Sequence, residues 1–341
     1  MRLSFPFIWR PKRLIPSLAD LSQADGVHSK TDVTIAVSGR PCPSTPLIVA
    51  ELKGGKIIGD LRLVATAEDD VVGGLQSIFG SEEPKGHYLL RRRRIRFPQF
   101  RRGTALLLGS AASDNYYHWM LESLPRWKML LAANWRDYDY VLLHSQPVRF
   151  QEEVLDRLQI PVEKRLHCSK NAVHQFERLV VPAMPFRRDK VSVWACAWLR
   201  SLFQTKATGH EKLFLKRGNA SRRRLLNERE LETALQEHGF VSVQADGLSV
   251  EEQAKLMGSA RCVVAPHGAA LTNIVFAAPR TLVFELFHPR HKNECYVNLA
   301  AACGHQYASL DGEALTQTKD RQLEYRVDVP RVLAILNDHL E

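Results

Sequence analysis

Between residues 105 and 182 short apolar runs alternate with amphipathic stretches. The unbroken apolar run 105–109 predicts a buried strand, and a helix is expected from near Tyr116. A strand follows at 141–143, then a helix at 149–158 with Phe150, Val154 and Leu158 at fourfold spacing on one face, then a strand at 179–182. That βαβαβ order predicts a parallel sheet with helices on its faces. A second alternating set begins with a helix at 194–203 and strand 213–215. The next helix opens at Asn227, with Glu230 three residues on as a capping box. Strand 240–243, helix 250–258, strand 262–265, strand 281–284, helix 294–302, a short strand near Tyr307 and a closing helix at 328–340 complete the pattern. Upstream, the β-type runs 33–37, 47–50, 57–58 and 61–64 are broken by Gly39, Pro41, Pro43, Gly54 and Gly55, which predicts a small antiparallel lead-in. The arginine-rich segment 89–102 reads as another exposed hairpin, and residues 1–24 as an arm.

The expected fold class is therefore α/β, with two doubly wound domains and a small β-rich lead-in. The boundaries fall at 1–103 for the lead-in, which belongs to the first domain, 104–185 for the first α/β domain, 186–326 for the second and 327–341 for the closing helix. Residues 182–190 are the expected linker. In doubly wound sheets ligands bind beyond the carboxyl ends of the strands, so residues just after each strand carry the chemistry.

After strand 213–215 stand Lys216, Arg217 and Asn219, two cations and an amide. After strand 262–265 stand Pro266, His267 and the small residues Gly268, Ala269 and Ala270, followed by Thr272 and Asn273. Small side chains there either expose helix N–H groups to an anion such as a phosphate or allow close strand–helix packing. Glu285 follows strand 281–284 in apolar surroundings and needs a partner, either ribose hydroxyls or an arginine such as Arg217. Together these residues predict a nucleotide diphosphate site. The chain has no G-x-G-x-x-G and no G-x-x-x-x-G-K-[ST].

In the first domain the dense stretch is 113–126. His118 and Glu122 share one helix face, where Glu122 either orients the imidazole or acts as a base itself. The competing reading pairs them with one another or with Arg126. Asp114 or Asn115 caps the helix. Asp137-Tyr138-Asp139 matches a metal-binding D-x-D but precedes its strand, so it reads as a surface turn. His288, His291, Cys295, Cys303 and His305 do not have a standard zinc-finger spacing.

The 341 residues suffice for two cores, and 45% hydrophobic with 25% charged residues excludes a disordered or fibrous chain. No apolar run approaches the ~18 residues that span a bilayer. The apolar patch near Met1 is too short for a signal-peptide core, and the six cysteines show no paired framework; a reducing cytoplasm is the expected location. The formal charge of +10 is concentrated in Arg91–Arg94, Arg96, Arg101 and Arg102 and in Arg222–Arg224. It suits nucleic acid, an acidic membrane or phosphate-bearing substrates, or else forms a solvated face.

The stretches 115–126, 223–228 and 266–273, closed by Phe284-Glu285-Leu286, together resemble glycosyltransferase family 61, which includes capsular-polysaccharide-type transferases of bacteria and plant xylan xylosyltransferases. The resemblance covers about residues 104–310. Ala270 stands where the family often has glycine, and Lys216 where it commonly has serine. The resemblance implies a GT-B architecture, two Rossmann-like domains facing a cleft, with the closing helix crossing back to the first. It implies inverting transfer from a nucleotide sugar, UDP-linked by expectation, to a glycan or lipid-linked acceptor in cell-surface glycan synthesis, with no metal or cofactor. His118, Glu122 or Asp114 would be the base. Lys216, Arg217, Asn219, His267, Gly268, Ala269, Ala270, Thr272, Asn273 and Glu285 would bind the donor, and Asn115, Tyr117, Trp119 and Arg126 the acceptor. The basic segment 91–102 would dock on an anionic inner leaflet. The rival is a non-catalytic protein that holds acidic glycan, lipid headgroup or nucleic acid. No nucleic-acid module is visible, so nucleic acid is not an expected partner.

Overall fold

Strand β7 (Gln99–Leu107) is exposed over its first residues and buried from Thr104 onward. The computed structural model describes residues 14–15, 33–37, 48–61, 63–72, 97–185, 191–203, 210–218, 222–314 and 323–340. Of the arm only Leu14–Ile15 is described, as a short strand pairing with Val71–Val72; the rest of it, the arginine run 91–96, Cys42, Asn219 and the linker residues 186–190 lie outside the described residues. The chain forms two units, Met1–Phe186 and Arg187–Glu341.

In the first unit β7 lies in a ten-stranded mixed sheet that also includes β1 (Leu14–Ile15), β2 (Val33–Val37), β5 (Leu63–Ala65) and β6 (Val71–Val72). Strands β8 (Tyr140–Leu143) and β9 (Arg165–His167) continue parallel on one side of β7, and β10 (Val173–Pro182) lies parallel on the other. The lead-in joins this same sheet: β3 (Ile48–Lys53) and β4 (Lys56–Ile58) both run antiparallel to β10. Residues 99–102, expected in a hairpin, instead belong to β7, where 99–101 pair with β10. Polar residues conceal these strand ends: Gln99, Arg101, His174 and Gln175 are in the ladder because a neighbour pairs with them. Strand β9, with no fully buried residue, has no apolar signal at all.

Gly103 has φ +93, and a Cβ there would fall on the Asp139 carboxylate. That carboxylate accepts from the Thr104 N–H at 2.7 Å. The second acid of the D-x-D is thus engaged with the backbone of β7.

The second unit is a five-stranded, all-parallel sheet in the order β12-β11-β13-β14-β15. Its strands are β11 (Lys212–Leu215), β12 (Val241–Val243), β13 (Cys262–Pro266), β14 (Leu282–Phe287) and β15 (Gln306–Asp311). By position within the unit this is 2-1-3-4-5, a doubly wound order whose switch point lies between the first and third strands, β11 and β13. Val264, Phe284 and Leu286 pack with Leu231 and Leu235 of the helix Glu228–Glu237. The closing helix, Val329–Leu340, places Val329, Val332 and Leu336 in this same core.

The helix start expected after β13 is a 3-10 helix, Ala269–Phe276. One local expectation changes. Asn227 makes no side-chain cap bond. Its amide donates to Val327 O at 2.9 Å and more weakly to Glu230 Oε2 at 3.2 Å, and accepts from Val327 N at 3.1 Å. A capping box does form at Ser249 and Glu252.

Asn227→Ala leaves two buried backbone groups of Val327 unsatisfied and should cost about 2 kcal/mol or more. Glu230→Ala, whose residue is exposed, should cost less than about 1 kcal/mol. Urea unfolding of both variants distinguishes this tie from a capping box, in which both changes would be felt.

Candidate functional site

Of the residues expected there, the switch point of the second sheet brings Arg217, His267, Gly268 and Glu285 together. Beyond β11, the Arg217 and Gly218 N–H groups donate to the Glu228 carboxylate at 2.6 and 3.2 Å. The Arg217 guanidinium donates to His267 O at 2.8 Å and to Arg222 O at 3.1 and 2.9 Å. Gly268 is buried, and a Cβ on it would meet Arg217 Nη1. Glycine is needed here for close approach, since its φ of −177° is open to any residue.

His267 is held from its side chain as well. Its Nδ1 lies 2.5 Å from Glu285 Oε1, and Tyr307 donates to Glu285 Oε2 at 2.6 Å. The imidazole stacks on Phe287 and meets Tyr296 and His291 edge to face at 5.3 Å. Glu285 lies inside β14, with no exposed surface, rather than after a strand. Both its oxygens therefore have protein partners. Burial, then Glu285, push the Tyr307 hydroxyl far up from its ordinary value, so it remains a donor.

Arg222, Arg223 and His291 line a cavity of about 430 Å³, with Leu323, among the described residues. That volume is in the range of small-molecule sites, ~300–1,000 Å³. Arg223 has φ +57, a conformation that costs about 1–3 kcal/mol for a non-glycine residue and is concentrated at functional sites. The segment is fixed by Tyr325, which donates its N–H to Arg224 O at 3.1 Å and accepts from Leu226 N at 2.9 Å. Burial and the neighbouring Arg223 lower the Arg217 pKa, and burial lowers that of Arg223.

Other expected donor residues are placed differently. Lys216 Nζ pairs with Glu232 at 2.9 Å and holds that carboxyl below its usual range. Thr272 and Asn273 are buried, and Asn273 donates to Gln253 Oε1 and Ala270 O. Ala269 and Ala270 are half-buried. Arg222, Arg223, His291, Tyr296 and Tyr307 were not among the expected donor residues. Arg222 stands out only in a charge run, Arg223 also as the first residue of the stretch 223–228 that carries the family resemblance, and His291 only in a rejected zinc spacing. Among the described residues no group of three or more His, Cys, Asp or Glu is placed to hold a metal ion.

In the first unit the loop after β7 leads into a helical run: an α-turn (Tyr116–His118), a π-turn (Trp119–Ser123) and an α-helix (Leu124–Ala132). Pro125 has no N–H and its ring would crowd the Leu121 carbonyl, and the wider π-turn accommodates it. Asn115 is the N-cap, accepting from Tyr117 N at 2.9 Å, while Asp114 is exposed. His118 Nδ1 lies 2.6 Å from Glu122 Oε1, with side chains 21% and 6% exposed, so the histidine is the solvent-facing member. Glu122 Oε2 is buried without a hydrogen-bond partner. Trp119 and Arg126, expected to meet the acceptor, are fully buried; Arg126 donates to Gly109 O at 2.9 Å and to Met184 Sδ at 2.7 Å. Burial lowers the Arg126 pKa to about 10 despite the opposing pull of Glu122. Tyr117 is half-buried, its ring edge-on to His118 at 5.4 Å.

In doubly wound sheets ligands bind at the switch point, and the cations gathered there suit an anion. The glycosyltransferase 61 family model matches residues 116–284, which reach from the first unit's helical run to β14. The chain belongs to glycosyltransferase family 61, so its partners are a sugar donor and an acceptor. No curated protein matches it.

Gly268→Ala should displace the Arg217 guanidinium and weaken binding of a nucleoside diphosphate by about tenfold or more, the scale of one lost charge-assisted contact. Calorimetric titration with uridine diphosphate measures this, and circular dichroism checks that the fold is retained.

Proposed function

We propose that this chain transfers a sugar, with inversion and without a divalent cation, from a nucleotide sugar to a glycan or lipid-linked saccharide. In this reading the two units adopt the GT-B arrangement that the family resemblance implies. The observation that carries the reading is the cluster at the β11/β13 switch point. There Arg217 is fixed against the His267 carbonyl, and Arg222, Arg223 and His291 line the adjoining cavity.

An inverting transfer breaks the bond between the anomeric carbon and the diphosphate while the acceptor oxygen attacks from the opposite face. The acceptor proton passes to His118, whose Nδ1 is held by Glu122. Glu122 is a positioning residue here, and Asp114 on the exposed turn is the weaker candidate for the base. The negative charge left on the diphosphate is met by Arg217, Arg222 and Arg223. His267, anchored by Glu285, sets the position of Arg217. Glycan synthesis at the inner face of a membrane fits this chemistry. Phe97 and Phe100 are exposed beside Arg102, and the sequence places Arg91–Arg94 and Arg96 just ahead of them.

With a panel of sugar nucleotides, His118→Ala should lower transfer by about 10²–10⁴-fold and Arg217→Ala by about 10²-fold or more. Glu122→Gln should lower kcat more than it raises KM, and EDTA should leave the wild-type rate unchanged. Wild-type turnover in all three variants would overturn these roles, and nucleotide binding without transfer to any acceptor would favour a binding protein. Replacing Arg91–Arg94, Arg96 and Arg102 by glutamine should reduce co-sedimentation with anionic vesicles; unchanged co-sedimentation would remove the membrane from this reading.

A further inference from the structure

The cavity beside the switch point has two permanently charged walls and one that can change its charge. Arg222 and Arg223 come from the segment after β11, and His291 from the turn after β14, where its N–H donates to His288 O at 2.9 Å. The His291 ring meets His267 edge to face at 5.3 Å, and His267 is tied through Glu285 to Tyr307. A third permanent cation here would repel both arginines whenever the cavity was empty. A histidine avoids that penalty and still supplies charge when an anion arrives.

We propose that His291 is a conditional cation of the diphosphate site, neutral in the empty cavity and protonated when the nucleotide's diphosphate is bound, so that binding takes up a proton. This inference rests on the nucleotide-site reading above. The groups facing His291 are Arg217, Arg222, Arg223, His267 and His288. Burial first, then the charges of Arg223, His267, His288 and Arg217, lower its pKa to about 4. The ring is therefore neutral near neutral pH in the free protein. A diphosphate offsets the arginine charges and accepts the ring N–H, both of which favour the imidazolium. Proton uptake then occurs at pH values above about 4 and below the raised pKa of the complex. Affinity falls as pH rises through the pKa of the complex. The proton comes from solvent, stays with His291 through transfer, and leaves with the nucleoside diphosphate.

The test is isothermal titration of the full chain with uridine diphosphate and with inorganic pyrophosphate, each in buffers of different ionisation enthalpy between about pH 6 and pH 8.5, where histidine shifts are read most directly. His291→Gln and His291→Lys are titrated alongside, which cancels the ligands' own ionisation. Wild type should take up more protons than His291→Gln, by an amount approaching one per site at the lower pH. Its affinity should fall with pH more steeply than that of His291→Gln, by up to about tenfold per pH unit. His291→Lys should bind more tightly than His291→Gln, without the extra uptake. Equal uptake and equal pH dependence in wild type and His291→Gln would overturn this inference and leave the nucleotide site standing. Failure of the wild-type protein to bind either ligand would overturn both.

Discussion

Glu285 has no exposed surface, yet it carries a carboxyl group, and the second unit is organised around satisfying it. A polar group without partners in such surroundings costs several kcal/mol. Tyr307 on β15 and His267 at the end of β13 supply the partners from either side of β14. His267 then offers its carbonyl to Arg217 beyond β11. One line of hydrogen bonds thus crosses four neighbouring parallel strands, from Tyr307 near the start of β15 to Arg217 beyond the end of β11. It converts a buried carboxyl into a fixed position for a guanidinium some strands away. Gly268 belongs to the same constraint, because its missing Cβ is the space that the guanidinium occupies.

The first unit reaches an oriented histidine by a shorter route. His118 and Glu122 are neighbours on a single helical run, and the 2.6 Å contact needs no strand from elsewhere. What the rest of the unit supplies is burial of Glu122 beneath a half-exposed His118, aided by the π-turn that Pro125 favours. In both units an acid holds the Nδ1 edge of a histidine. In the first the histidine is the accessible partner, whereas His267 is enclosed by Phe287, Tyr296 and His291. That difference suits His118 to proton transfer and His267 to support.

The apolar strands were legible wherever burial on both faces left an unbroken run, as at Leu213–Leu215, Cys262–Ala265 and Val141–Leu143. The helix Val250–Gly258 was legible for a different reason, its buried positions Val250, Ala254 and Met257 recurring at helical spacing. The polar halves of β7 and β10, and all of β9, carry no such signal, since pairing with a neighbour makes them strands. Asn227 shows the same limit for a cap: its amide does reach Glu230, but no backbone N–H of the helix is capped, and Val327, far along the chain, takes both ends of the amide. Of the expected donor residues, Arg217, His267 and Gly268 come together at the switch point, while Lys216 turns to Glu232 and Thr272 and Asn273 are buried.

By itself the sequence determined the βα rhythm, the positions just beyond the strands, and the pairing of His118 with Glu122, because each depends on residues a few places apart. Only the tertiary structure decided the strand order that places Arg217 beside His267, and the partners that claim both oxygens of Glu285. It also decided that Arg222, Arg223 and His291 share one cavity. These contacts join segments separated by tens of residues, and nothing local to any one segment specifies which other segment lies against it. The physical reason is that a parallel sheet fixes its neighbours through crossover connections and shared burial, so the identity of a side chain's partner is set by the assembled layer.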